Sequence, residues 1–147
     1  MTNPPLRVDF YVLSSADSGS RLRFACRLTE KAYTLSNRTY AHVASAARAR
    51  ELDELLWTFR DGSFIPHEVE PAESTPPPSV LIGHAPDTDA QGDLLINLAE
   101  SIPTFFERFG RVAEVVDASE EGKRNGRERF AFYRDNGYEP NTHRITT

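Results

Sequence analysis

The sequence predicts an α/β fold, a three-layer sandwich with helices on both faces of a mostly parallel central sheet, and three observations carry that expectation. Strand-like apolar runs alternate along the chain with segments of helical spacing 9 to 18 residues long, the pattern of strand–helix–strand units. A length of 147 residues with 39% apolar and 27% charged residues fits one compact domain, which hides about 68–70% of its unfolded surface without metal or disulfide staples. Cys26 is the single cysteine and cannot form an internal bridge. The start of the sequence is not that of a basic-then-apolar signal segment, and no stretch approaches the roughly 18–20 apolar residues of a membrane span. The expected setting is the reducing cytoplasm, with no membrane contact.

The elements follow in order. Leu6 to Leu13 (LRVDFYVL) is apolar, aromatic and β-branched and ends in the turn-forming Ser14–Ser18 cluster, so it predicts a first strand. From Arg21 to Leu35 apolar residues recur at Leu22, Ala25, Cys26, Leu28, Ala32, Tyr33 and Leu35, the spacing of an amphipathic helix. Arg38–Ala44 predicts a short strand, and Ala46–Phe59 a helix rich in good helix formers that Asp61-Gly62 stops. Phe64–His67 is a short extended piece that Pro66 confines to a sheet edge or to no sheet.

Glu70–Ser79 has four prolines in ten residues and predicts a solvated, polyproline-like connection inside one domain spanning 1–147, since too little chain lies on either side for two cores. Val80–Gly83 and Leu94–Leu98 predict strands. A helix is expected from Ser101, with Pro103 in its first turn, to Phe109, where Gly110 ends it. Arg111–Val116 predicts a further strand and Ser119–Asn136 the last helix, closed by Gly137. The sum is a doubly wound architecture of about five strands, which by itself says nothing about activity.

Charge is unevenly distributed over the net −5. Asp61 to Glu107 carries nine acids and no Lys or Arg, whereas residues 122–134 carry Lys123, Arg124, Arg127, Arg129 and Arg134 against Glu128 alone. Broad binding to the DNA backbone, which needs many phosphate-neutralising cations, is disfavoured; a local basic patch for a small acidic partner is compatible with this pattern.

Catalytic signatures do not emerge. The turn after the first strand has one glycine, Gly19, and lacks both the three-glycine dinucleotide spacing and the lysine-serine ending of a P-loop. A nucleotide-binding enzyme of doubly wound fold survives as an alternative through fold analogy and through serine amides at a helix start. His42, His67, His84 and His143 include no local pair, so no metal and no cofactor are expected. No Gly-x-Ser-x-Gly elbow occurs.

Two recognition features remain. In Trp57–His67, three large aromatics (Trp57, Phe59, Phe64) and Pro66 meet where a helix gives way to a loop. Such residues anchor protein interfaces and equally fill cores. On the last helix, at about 100° per residue, Lys123, Arg127, Phe130 and Arg134 fall at roughly 0°, 40°, −20° and 20°, a stripe about 60° wide. Lys123 and Arg127 are like charges at i,i+4, an arrangement that opposes helix stability, so the stripe reads equally as a solvated charged face or as a site for an acidic group.

Residues distributed over nearly the whole chain resemble the chi subunit of bacterial DNA polymerase III holoenzyme. They are Phe10–Leu13, Cys26–Leu28, Lys31–Tyr33, Leu52–Glu54, Leu56-Trp57, Ser63–His67, Leu95–Leu98, Val115–Asp117, Arg127–Phe130, Tyr133-Arg134 and Gly137. The Trp57–His67 block and the final helix are the specific parts. The resemblance implies a Rossmann-like, non-catalytic subunit of the clamp-loader assembly. It also implies two partners, with DNA contacted only indirectly: the psi subunit, at Trp57, Phe64, Pro66 and His67, and the acidic C-terminal tail of single-stranded DNA-binding protein, at Lys123, Arg127, Phe130 and Arg134. Phe130 stands where the family usually has tyrosine, which keeps the ring and loses a hydroxyl, and Ala131 where it usually has lysine, which removes a charge.

Overall fold

A computed structural model describes residues 6–62 and 64–146; Ser63 of the Ser63–His67 motif lies outside them. Seven strands form one sheet in the order β3-β4-β2-β5-β6-β1-β7, and every pairing is parallel. In chain order the elements are β1 Arg7–Leu13, α1 Ser20–Thr34, β2 Thr39–His42, α2 Ala46–Thr58, β3 His67–Val69, β4 Val80–Gly83, β5 Gly92–Asn97, β6 Phe109–Val116, α3 Glu120–Asp135 and β7 Asn141–Ile145.

The two-residue alternation of the strands sorts the core into two layers. Leu13 of β1, Ala41 of β2, Ile82 of β4, Leu94 and Ile96 of β5, and Ala113 and Val115 of β6 face α1 and α2. Leu52 and Leu56 of α2 are fully buried there, each worth about 1.5–3 kcal/mol relative to exposure. Val8 and Phe10 of β1, Tyr40, Leu95, Val112 and Val116 face the other way, against Tyr133 of α3 and the ring cluster of Phe105, Phe106 and Phe109. Helices therefore cover both faces, as the sequence predicts.

Two expectations need correction. The helix expected over residues 101–109 is a single 3-10 turn, Phe106–Arg108, closed by i→i+3 bonds from Phe106 N to Pro103 O and Arg108 N to Phe105 O. Packing overrides the local pattern. Phe105, Phe106 and Phe109 are buried in the second core layer, and Phe109 pairs with Gly92 as the first residue of β6, so its backbone serves the sheet. Second, the sheet has seven strands instead of about five. The extra edge strand β7 reads NTHRI, too polar and short to announce itself, and is held to β1 by pairing from Asp9↔Asn141 to Leu13↔Ile145. The extended Phe64–His67 piece meets the sheet only at an edge, as expected, where β3 begins at His67, since Pro66 has no N–H to donate.

Two glycines position α3. Gly126 rests on β6 so closely that a Cβ would lie 2.9 Å from Val116 Cγ2, and Gly137, at φ +90°, takes the left-handed conformation that ends the helix.

Candidate functional site

Ser119 caps α3 by accepting from Gly122 N at 3.0 Å, and Asp117 Oδ1 accepts from Ser119 N and Oγ at 3.0 and 2.6 Å. Glu120 and Glu121 in the first turn suit the positive end of the helix dipole. The rotation of α3 is then fixed from below. Glu114, with no exposed surface, points from β6 at the helix and accepts from Arg129 Nε at 2.7 Å and Tyr133 Oη at 2.8 Å. Asn97 Nδ2 of β5 donates to both Glu114 oxygens at 3.2 and 3.1 Å, and Arg129 Nη1 also donates to Glu100 O at 3.0 Å. Burial first, and then the Glu114 charge, push the Tyr133 hydroxyl far above its ordinary range, so it stays a donor.

With Gly126, Arg129 and Tyr133 turned inward, the predicted stripe faces outward. Lys123, Arg127 and Arg134 are exposed and Phe130 is half-buried, its ring 5.2 Å from Phe10 of β1 at 60°. The Lys123 and Arg127 side chains make no ion pair among the described residues. Arg134 has only its neighbour Asp135 at 3.2 Å, both more than 60% exposed, a pair worth little in water. The structure thus brings all four stripe residues together.

The aromatic block lies at the other end of the sheet. Trp57 is 49% and Phe64 79% exposed, Pro66 is exposed, and Phe59 packs partly against the α1–α2 core. An extended chain alternates Phe64 and Pro66 outward with Ile65 and His67 inward. His67 is accordingly a strut: its ring sits 4.4 Å beneath Trp57, with Nδ1 2.6 Å from Ile65 O and Nε2 3.0 Å from Asp53 O and 3.2 Å from Asp53 Oδ1. Trp57 rides on α2 next to β3, while the cationic stripe lies over β1 on the opposite face. Five strand spacings of about 4.8 Å separate them, roughly 24 Å.

Sequence reasoning missed the Glu114–Arg129–Tyr133–Asn97 cluster and grouped Arg129 with the surface cations. The signal was present, since Arg129 falls on the same helix face as Gly126 and Tyr133.

The family model described as "DNA polymerase III chi subunit, HolC" matches residues 6–141. The chain belongs to the DNA polymerase III chi subunit family. It is 42% identical over 139 residues to the DNA polymerase III subunit chi of Pseudomonas aeruginosa, covering 95% of this chain and 96% of the relative. With the Escherichia coli chi subunit it shares 26% over 140 residues, covering 90% and 94%. T4 UvsW aligns with a TM-score of 0.69 at 8% identity, and S. cerevisiae dbp5 bound to gle1 and ip6 with 0.59 at 14%. This chi-family chain covers 96% and 95% of itself in those alignments and 42% of each of those chains, a likeness of fold alone. The family match and the relatives' names, not the fold likeness, place it as a subunit of DNA polymerase III. No helix among the described residues is long and apolar enough to cross a membrane.

In this chi-family fold a cleft of about 310 Å³ opens where nucleotide-binding α/β proteins hold their ligand. Its walls include Glu100, Asp117 and Glu121, which repel phosphate. Its arginines are engaged, Arg21 Nε with Val115 O at 3.0 Å and Arg48 Nη1 with Glu51 at 3.0 Å.

Proposed function

We propose that this chi-family subunit is a non-catalytic adaptor that binds two proteins at once. The Trp57, Phe64 and Pro66 surface, braced by His67, takes the psi subunit of the clamp loader, and the Lys123, Arg127, Phe130 and Arg134 stripe takes the acidic C-terminal tail of single-stranded DNA-binding protein. The polymerase assembly is thereby tethered to protein-coated single strands, and DNA is contacted only indirectly.

One observation carries this reading. Exposed aromatic side chains and exposed cations lie at opposite ends and on opposite faces of one sheet, so two partners fit without collision. The chemistry suits each partner. Exposed aromatic side chains supply interface anchors, and guanidinium and ammonium groups pair with a terminal carboxylate and neighbouring acids while the half-buried Phe130 ring offers an apolar contact. Each charge-assisted bond is worth about 1.5–3 kcal/mol, so three approach the roughly 8 kcal/mol of micromolar binding. The acid-lined cleft gives the nucleotide-enzyme alternative no such support.

Affinity capture from lysate on the immobilised chain tests the proposal, with recovery of both single-stranded DNA-binding protein and a small clamp-loader subunit expected. Recovery of neither would overturn it.

A further inference from the structure

The α3 stripe has a counterpart on the sheet beside it. On the α3 face of β1 the residues are Val8, Phe10 and, by two-residue alternation, Val12. In the parallel register Thr142 lies opposite Phe10 and Arg144 opposite Val12, and paired residues of neighbouring strands project to the same face. Arg144 and Thr142 of β7 therefore stand on the same side of the sheet as α3.

The same register sets their height along the helix. Val116 of β6 pairs with Val12 and packs under Gly126, and Phe10 packs against Phe130. Arg144, in the Val116–Val12 row, is thus level with Gly126 and Arg127, and Thr142 is level with Phe130. Among the described residues no element covers this strip beyond α3: Val12 is half-buried, and Thr142 and Arg144 are exposed. Arg144 makes no ion pair among the described residues. β7 lies two strand spacings from β6, about 10 Å, which leaves width for one extended chain beside Arg127.

We propose that Arg144 is a fourth cation of the tail site, facing Arg127 across the strip floored by Val12 and Thr142, so that an acidic peptide end is held between α3 and β7. The occupant is an acidic peptide with a free terminal carboxylate. Cations on two sides fit its clustered acids, and one half-buried ring, Phe130, matches a single apolar side chain better than the successive bases of a nucleic acid strand. The inference rests on the tail-binding reading above.

Fluorescence anisotropy with a labelled acidic peptide ending in phenylalanine tests it on the full chain. Arg144→Ala is expected to weaken binding about three- to tenfold and Arg144→Glu more than about tenfold, with Arg144→Lys close to wild type and melting temperatures unchanged, as for an exposed charge. Arg127→Ala combined with Arg144→Ala should lose less than the sum of the single changes, because both cations face the same carboxylates. If Arg127→Ala loses the peptide while Arg144→Ala and Arg144→Glu bind like wild type, the role of Arg144 is overturned and the α3 site stands. If wild type does not bind the peptide, both fall. If Arg144→Glu lowers affinity only for a labelled single-stranded oligonucleotide, the strip is a nucleic-acid contact and the proposal is wrong.

Discussion

Replacing Arg129 by leucine tests whether the buried cluster under α3 sets the recognition surface. In the native chain Glu114 accepts from Arg129 at 2.7 Å, Tyr133 at 2.8 Å and Asn97 at 3.1–3.2 Å, with no solvent contact. Without Arg129 the carboxylate keeps two neutral donors and no directly bonded counter-charge, only the more distant Arg21, a situation that costs about 3–5 kcal/mol. At about 2–4 °C per kcal/mol for a chain of this size, the melting temperature should fall by roughly 6–20 °C. Glu114→Leu with Arg129→Leu removes both charges and should recover most of the loss, since an apolar pair of similar volume is often neutral. Tyr133→Phe removes one bond to a charged acceptor and should cost about 1.5–3 kcal/mol. Circular-dichroism melts and denaturant titration read all three variants. An Arg129→Leu chain within about 0.5 kcal/mol of wild type, or a double variant no better than the single, would refute the reasoning.

Other consequences follow from the same geometry. Burial would raise the Asp9 carboxyl, but hydrogen bonds from His143 and Arg7 and the charges of Arg111 and Arg7 outweigh it and hold Asp9 below its ordinary 3.8. A lowered folded-state value adds stability that is fully present above the ordinary carboxylate pKa and is lost as pH falls through the lowered one, so hydrogen-exchange protection at Thr142–Ile145, taken relative to the intrinsic rate at each pH, should fall below about pH 4. Asp9→Asn should cost about 1–2 kcal/mol at neutral pH, because Arg7 and His143 are partly in solvent; unchanged β7 protection at pH 3 would contradict this. Phe64→Ala should leave stability within about 0.5 kcal/mol, as expected of a side chain 79% exposed, and abolish capture of the clamp-loader partner. Burial pushes the Cys26 thiol up to about 12, so thiol reagents should label it at pH 8 only after denaturant unfolds the chain.

The fold was largely legible where hydrophobic spacing is strong. Leu6–Leu13, Val80–Gly83 and the three helices were recovered to within a residue or two because each presents an apolar stripe or run to the core. The 101–109 segment misled because Pro103 and Gly110 mimic helix boundaries, while its phenylalanines answer to a ring cluster formed with distant strands. β7 was invisible for the converse reason. Its residues are polar, and pairing with β1 plus the bond between His143 Nε2 and Asp9 Oδ1 at 2.9 Å hold it in the sheet. The cationic stripe was readable because helix periodicity alone places four residues on one face. Whether Trp57 and Phe64 sit in core or surface was undecidable from composition, since aromatics serve both; the outward turn of Phe64 follows from the alternation that buries Ile65 and His67. Arg144 joins the stripe only through sheet register, which no local pattern encodes.

The central claim, two independent recognition surfaces in one chain, is tested most directly by a crossed titration. Arg127→Ala and Trp57→Ala chains are each titrated with the acidic tail peptide and with the psi subunit. Arg127→Ala should weaken the peptide by about ten- to hundredfold, the loss of about 1.5–3 kcal/mol from one charge-assisted contact, and bind psi like wild type. Trp57→Ala should do the reverse. Equal peptide affinity of wild type and Arg127→Ala, or loss of both partners in either variant, would contradict the account.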